Sequence, residues 1–251
     1  MEIVQFNPLD LDTPINTWGA GTEAARGFCY DGRAFWAGTR KSALVSTIRI
    51  VGNSKYEGNK ISTPPPFGKQ STAIGLEYLG AGRFAILCAN GLIPAPDYPF
   101  LCFGRVVKGA TFASTATIDV PEAWLYPYQT FGDICSDGRY IYYWDAKSFV
   151  WGRRKLSNPT INEAAFAGSG SDAGIGICFD GKYFYTIEVI WASTPNASPI
   201  GNKWYIYKYS ANGQILGQSS PRVVDGITIK QAYSLATDGK YLYVSQDLVG
   251  P

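Results

Sequence analysis

Asp180-Gly181-Lys182-Tyr183-Phe184-Tyr185 is the stretch on which the fold turns. It returns as Asp238-Gly239-Lys240-Tyr241-Leu242-Tyr243, as Asp137-Gly138-Arg139-Tyr140-Ile141-Tyr142, and as Asp31-Gly32-Arg33-Ala34-Phe35-Trp36. A degraded copy reads Gly80-Ala81-Gly82-Arg83-Phe84-Ala85. Each copy follows a short apolar run, such as Gly176-Ile177-Cys178-Phe179. Asp-Gly between alternating apolar residues is a strong hairpin signal, since both central residues of the tight turn need positive φ. The chain therefore carries one hairpin five times.

The copies lie about 40–60 residues apart, a period that suits the blades of a β-propeller. No segment has a useful helical period. The expectation is an all-β, five-bladed propeller of four-stranded antiparallel blades in one domain spanning residues 1–251. The blades fall at about 18–62, 72–120, 131–167, 174–218, and 232–251 together with 1–16. The last blade is split. Residues 2–11 read as two strands without a hairpin of their own, and residues 233–246 read as a hairpin without outer strands. The two ends then complete one blade and close the ring.

The hairpin in Ala236-Thr237-Asp238-Gly239-Lys240-Tyr241-Leu242-Tyr243-Val244 resembles the YVTN-type and related repeats of surface-layer and quinoprotein-like propellers. The resemblance covers the hairpins, about a third of the chain. It implies propeller architecture and is nearly silent on function. Five blades of this length also resemble tachylectin-like lectins in architecture, without a shared motif.

Composition narrows the chemistry. The chain has no histidine, which removes histidine triads, histidine metal ligands and histidine pH switches. A net charge of +2 with scattered basic residues gives no case for nucleic acid. No apolar run is long enough for membrane insertion, and no signal peptide is evident at the start. The location is left open, with a virion or a cell surface among the settings that fit. Neither a metal nor another cofactor is expected. Of five cysteines, Cys29, Cys135 and Cys178 each stand two residues before a turn Asp, which reads as a small buried apolar position. Cys88 and Cys102 flank a loop and could face each other as a disulfide. Arg153-Arg154-Lys155 reads as a solvated strand end.

In a propeller the Asp-Gly turns share one face. The opposite face carries residues 13–22, 62–71, 119–130 and 223–231 between blades, and the long loops 89–100 and 191–202 within them. Trp18, Phe67, Tyr98, Trp124, Tyr126, Tyr128 and Trp191 fall there and are the candidate ligand-binding residues. Rigid aromatic faces suit a sugar ring or a protein surface. Glu23, Asp133 and Asp172 are candidate channel carboxylates near the starts of inner strands, with Glu77 inside one. Paired acids would allow glycoside hydrolysis. The expectation is a non-catalytic module that binds a glycan or protein surface. The alternatives are an assembly component with a structural partner, and a glycoside hydrolase.

Overall fold

A computed structural model describes residues 2–19, 25–39, 44–51, 54–62, 71–90, 99–107, 111–123, 132–192 and 199–247. The described residues form 21 strands and one short 3-10 turn, Pro121–Ala123. The strands group into antiparallel four-stranded units. Unit 1 is Ala25–Tyr30, Phe35–Thr39, Leu44–Val51 and Ser54–Ser62. Unit 2 is Ser71–Tyr78, Arg83–Asn90, Phe100–Val107 and Thr111–Asp119. Unit 3 is Cys135–Ser136, Tyr140–Asp145, Val150–Lys155 and Asn158–Ala167. Unit 4 is Ala173–Phe179, Phe184–Ile190, Lys203–Tyr209 and Ile215–Gln218, with Arg222–Val223 also on the third strand. The remaining strands are Gln231–Thr237, Leu242–Asp247, Glu2–Asn7 and Asp10–Gly19. They pair in that order, as unit 5.

The architecture is an all-β propeller with antiparallel sheets, as the repeat predicts. The sheets number four among the described residues, where five were expected. Units 1 and 2 are fused into one eight-stranded sheet by a single parallel bridge, Ser62 to Thr111, between their outermost strands.

The hairpin turns use their residues differently from the expectation. Phe179 pairs with Phe184, so the loop spans four residues, 180–183. Only Gly181 takes positive φ, at 95°. Asp180 keeps ordinary φ, and its Oδ1 accepts the amides of Lys182 at 2.8 Å and Tyr183 at 2.7 Å. Asp31, Asp137 and Asp238 repeat this clamp. Their second carboxylate oxygen accepts a ring donor five residues on: Trp36 Nε1, Tyr142 hydroxyl and Tyr243 hydroxyl, each at 2.8 Å. The Asp thus satisfies the loop amides and fixes the ring that follows.

Those rings build the core. Trp36 packs on Phe84 of the next unit at 5.0 Å, Tyr142 on Phe184 at 4.6 Å, and Tyr243 on Phe35 at 4.5 Å. Each of five buried clusters lies between one unit and its neighbour, the last joining units 5 and 1 through Ile3, Trp18, Phe28, Phe35 and Tyr243. All five cysteines are free and buried, so Cys88 and Cys102 form no disulfide. Cys88 pairs across the strands with Phe100, and Cys102 with Ile86, which offsets the thiols by two residues. Arg154 is buried rather than solvated, donating to the Tyr143 hydroxyl at 3.0 Å and the Pro159 carbonyl at 2.8 Å.

Ile3, Val4 and Phe6 are buried in the strand that lies between Leu242–Asp247 and Asp10–Gly19. Deleting residues 1–12 removes that burial, at about 1.5–3 kcal/mol per side chain against a typical total of about 5–15 kcal/mol. The deletion is expected to aggregate or to melt far below the intact protein in a thermal scan. An unchanged melting temperature would show that this strand contributes little to the fold.

Candidate functional site

The pairing registers align the inner strands. Residues 27, 75, 133, 176 and 234 occupy one level around the propeller axis. Three are glycine, one is Ser234 and one is Asp133. The glycines permit close approach: a Cβ on Gly27 would come within 2.7 Å of the Gly75 carbonyl carbon, and one on Gly75 within 3.0 Å of the Ile134 nitrogen. Into this level projects the Asp133 carboxylate, with 0% of the residue exposed. Its Oδ1 accepts the amides of Ile134 at 2.9 Å and Leu76 at 3.2 Å. Its Oδ2 accepts the Leu235 amide at 3.3 Å and the Ser234 hydroxyl. One side chain therefore ties together the inner strands of units 2, 3 and 5. Burial still pushes its pKa well above the ordinary aspartate value, against the lowering effect of these hydrogen bonds.

Two residues on, the level reads Cys29, Glu77, Cys135, Cys178 and Ala236. Part of Glu77 is exposed, but its carboxyl lies deep, with Oε1 accepting the Ser136 amide at 3.2 Å. Burial, and then the charge of Asp133, drive its pKa well upward. The same burial, with Glu77 next, raises the three thiols, so they are held protonated and unreactive.

A second buried carboxylate escaped the sequence reading. Glu188, 0% exposed, accepts Trp151 Nε1 of unit 3 at 3.2 Å, the Tyr209 hydroxyl at 2.7 Å, Thr186 Oγ1 at 3.1 Å, and the Ser169 amide and hydroxyl. Its position midway along an apolar strand, Phe184–Ile190, is the signal that could have found it. Asp133 and Glu188 are thus both consumed by internal donors, and neither offers an oxygen to a substrate.

The other sequence candidates fall as follows. Asp172 is exposed, and its Oδ2 accepts the Trp191 amide at 2.8 Å. Trp191 is partly buried against the core between units 4 and 5. Trp18 lies within Asp10–Gly19 rather than in a loop, pairs with Ile3, and is buried beside Tyr243 at 6.4 Å. The outer strand runs further than its polar sequence signals. Phe67, Tyr98, Trp124, Tyr126, Tyr128 and Glu23 lie outside the described residues.

Among the described residues, the loop face carries one exposed aromatic that the sequence reading missed. Phe149 is 49% exposed and has a φ of 55°, a backbone state that bulky residues rarely adopt. It ends the turn 145–149, where Asp145 Oδ1 accepts the amides of Lys147 at 3.0 Å and Ser148 at 3.1 Å. Nothing in its local sequence marks it as exposed. Ile200, 50% exposed, stands on the loop that follows Trp191.

No known family profile matches the chain, and no curated protein does. Solved structures do. Regucalcin, a calcium-binding protein from Agrobacterium tumefaciens, superposes with a TM-score of 0.54 at 10% identity, over 92% of this chain and 94% of its own. Glutaminyl cyclase from Myxococcus xanthus gives 0.53 at 10% identity, over 90% and 92%. The major Malassezia sympodialis allergen Mala s 1 gives 0.50 at 9%, over 88% and 86%. The class is thereby defined: this chain has the β-propeller fold. An enzyme and a calcium-binding protein stand among its neighbours, so the fold alone does not choose a function. Among the described residues no group of three or more histidine, cysteine or carboxylate side chains is placed to hold a metal, and no helix is long and apolar enough to cross a membrane.

The acid pair at the axis has a pH signature. Carboxyls with raised folded pKa stabilise the fold below their unfolded values, about 4, and this stabilisation is lost as pH rises through the folded values. Glu77→Gln keeps the acceptor for Ser136 and removes the charge. Its melting temperature relative to the parent is expected to rise as pH goes up from about 4 toward neutrality. A difference that stays flat across that window would contradict the burial of this carboxyl.

Proposed function

We propose that this chain is a non-catalytic binding module that recognises a glycan or protein surface through the loop face of the propeller. Phe149 carries the reading. It is an exposed aromatic ring held on a strained backbone, and strain of this kind is kept where a side chain must be presented. Trp191 and Ile200 add apolar surface on the neighbouring unit's loops. The filled axis and the fully engaged Asp133 and Glu188 support binding over glycoside hydrolysis. Trp124, Tyr126 and Tyr128, in the proline-flanked stretch 121–128, belong to the same proposal on sequence grounds.

We also read the units as five blades, with Glu2–Gly19 completing the last one. The pairing of Glu2–Phe6 with Leu242–Gln246 supports this, as does the single-residue bridge between units 1 and 2. The YVTN-type resemblance of the hairpin is part of the same reading. A second function, assembly in a virion or surface layer, draws support from apolar side chains exposed on outer strands, including Ile161 and Leu216. A defined oligomer in light scattering would favour it.

The test is a glycan array and a screen of extracellular protein surfaces, followed by two variants. Phe149→Gly relieves the strained φ and is expected to change stability by less than about 1 kcal/mol. It should nevertheless weaken partner binding by about 1–2 kcal/mol, with Trp191→Ala weakening it further. Undiminished affinity in both variants would place the partner elsewhere. Turnover of chromogenic glycosides would replace binding by hydrolysis.

A further inference from the structure

On the turn face, opposite the loops just discussed, a cleft of about 400 Å³ opens between units 2 and 3. It lies where the repeat is broken. In the other four units, the cross-strand partner of the small inner residue is a large ring: Trp36, Tyr142, Tyr185 or Tyr243. Each of these rings stands five residues after a turn Asp. In unit 2 that partner is Ala85, and the inner residue is Glu77 instead of a cysteine or alanine. The turn changes with it. Leu79 begins the loop where the others have Asp, the loop is one residue longer, and residues 80–82 all take positive φ. The cleft lies on this side of unit 2, facing unit 3, with Glu77 at its inner end.

The walls of that space are apolar, formed by Leu79, Phe84 and Phe103 of unit 2 and by Leu156 and Pro159 of unit 3. At the rim, Arg83 and Arg105 sit directly opposite each other in register on neighbouring strands, and both are exposed. Like charges so placed repel. Among the described residues no carboxylate pairs with either, and Glu77 is the only acid lining the cleft.

We propose that this cleft binds a small organic anion with a flat apolar body. The anionic group lies between Arg83 and Arg105, relieving their repulsion. The body slides between Phe103 and Pro159. The Glu77 carboxyl, at the inner end, meets a polar group of the ligand. The volume fits such a ligand, being near the lower end of small-molecule sites at about 300–1,000 Å³. This inference is independent of the proposed partner on the loop face.

The probe is 4-fluorobenzoate, followed by fluorine NMR against the neutral 4-fluorobenzyl alcohol. Benzoate is expected to broaden in the presence of the protein and the alcohol to do so far less. Arg105→Glu, at an exposed position, should keep the parent melting temperature and weaken benzoate binding at least about tenfold, the scale of a charge-assisted contact. Ala85→Tyr, which restores the ring of the other repeats, should abolish it. Phe149→Gly should leave it unchanged. No benzoate binding at millimolar concentration would overturn the proposal. So would equal binding of the alcohol, or benzoate binding indifferent to Arg105→Glu.

Discussion

A propeller must bring its inner strands close around an axis without burying unpaired polar groups there. Here the Asp133 carboxylate meets that constraint. Three backbone amides and a hydroxyl converge on it from three units, and each would otherwise face a dry, crowded centre. The glycines at the equivalent level leave room for the Asp133 carboxylate and the Ser234 hydroxyl. The cost is an acid whose ionisation burial opposes, and which leaves no oxygen for a substrate.

Glu188 applies the same logic away from the axis, reaching from unit 4 to the indole of Trp151 in unit 3. Burying a carboxylate is expensive unless donors surround it, and five donors do so here. Between these polar ties, rings do the rest. Asp31, Asp137 and Asp238, which clamp their hairpin loops, each also position an aromatic side chain that packs at the boundary with the next unit. Only unit 2 departs from this plan, and there a cleft with an acid floor and an arginine rim replaces the ring.

Much of the fold was legible because hairpins are local. The strand from Lys203 to Tyr209 and the hairpin around Asp180 follow from alternation and turn residues within a few positions. The sheet count was not, because one bridge between Ser62 and Thr111 depends on how two outer edges meet. Trp18 was misplaced because Asp10–Gly19 is polar and reads as loop, while its burial comes from Ile3 and Tyr243, residues distant in sequence. The role of Asp133 was half visible. Aligning the positions two before Cys29, Glu77, Cys135, Cys178 and Ala236 gives glycine, glycine, aspartate, glycine and serine. That exception points to the axis, but three of its four donors come from strands more than fifty residues away. Phe149 left no mark, because positive φ in a non-glycine residue is set by the turn that presents it.

The direct test of the axis is thermal unfolding of Asp133→Ala beside the parent protein. Removing the carboxylate strands two amides and a hydroxyl from other units, and a loss of about 3–5 kcal/mol follows from breaking such a buried set. For a chain of this size that is a drop of roughly 6–20 °C, at about 2–4 °C per kcal/mol. Amide exchange at Leu76 and Leu235 should quicken together. A melting temperature within about 2 °C of the parent, less than about 1 kcal/mol, would contradict the account. The axis would then be held by backbone packing without Asp133.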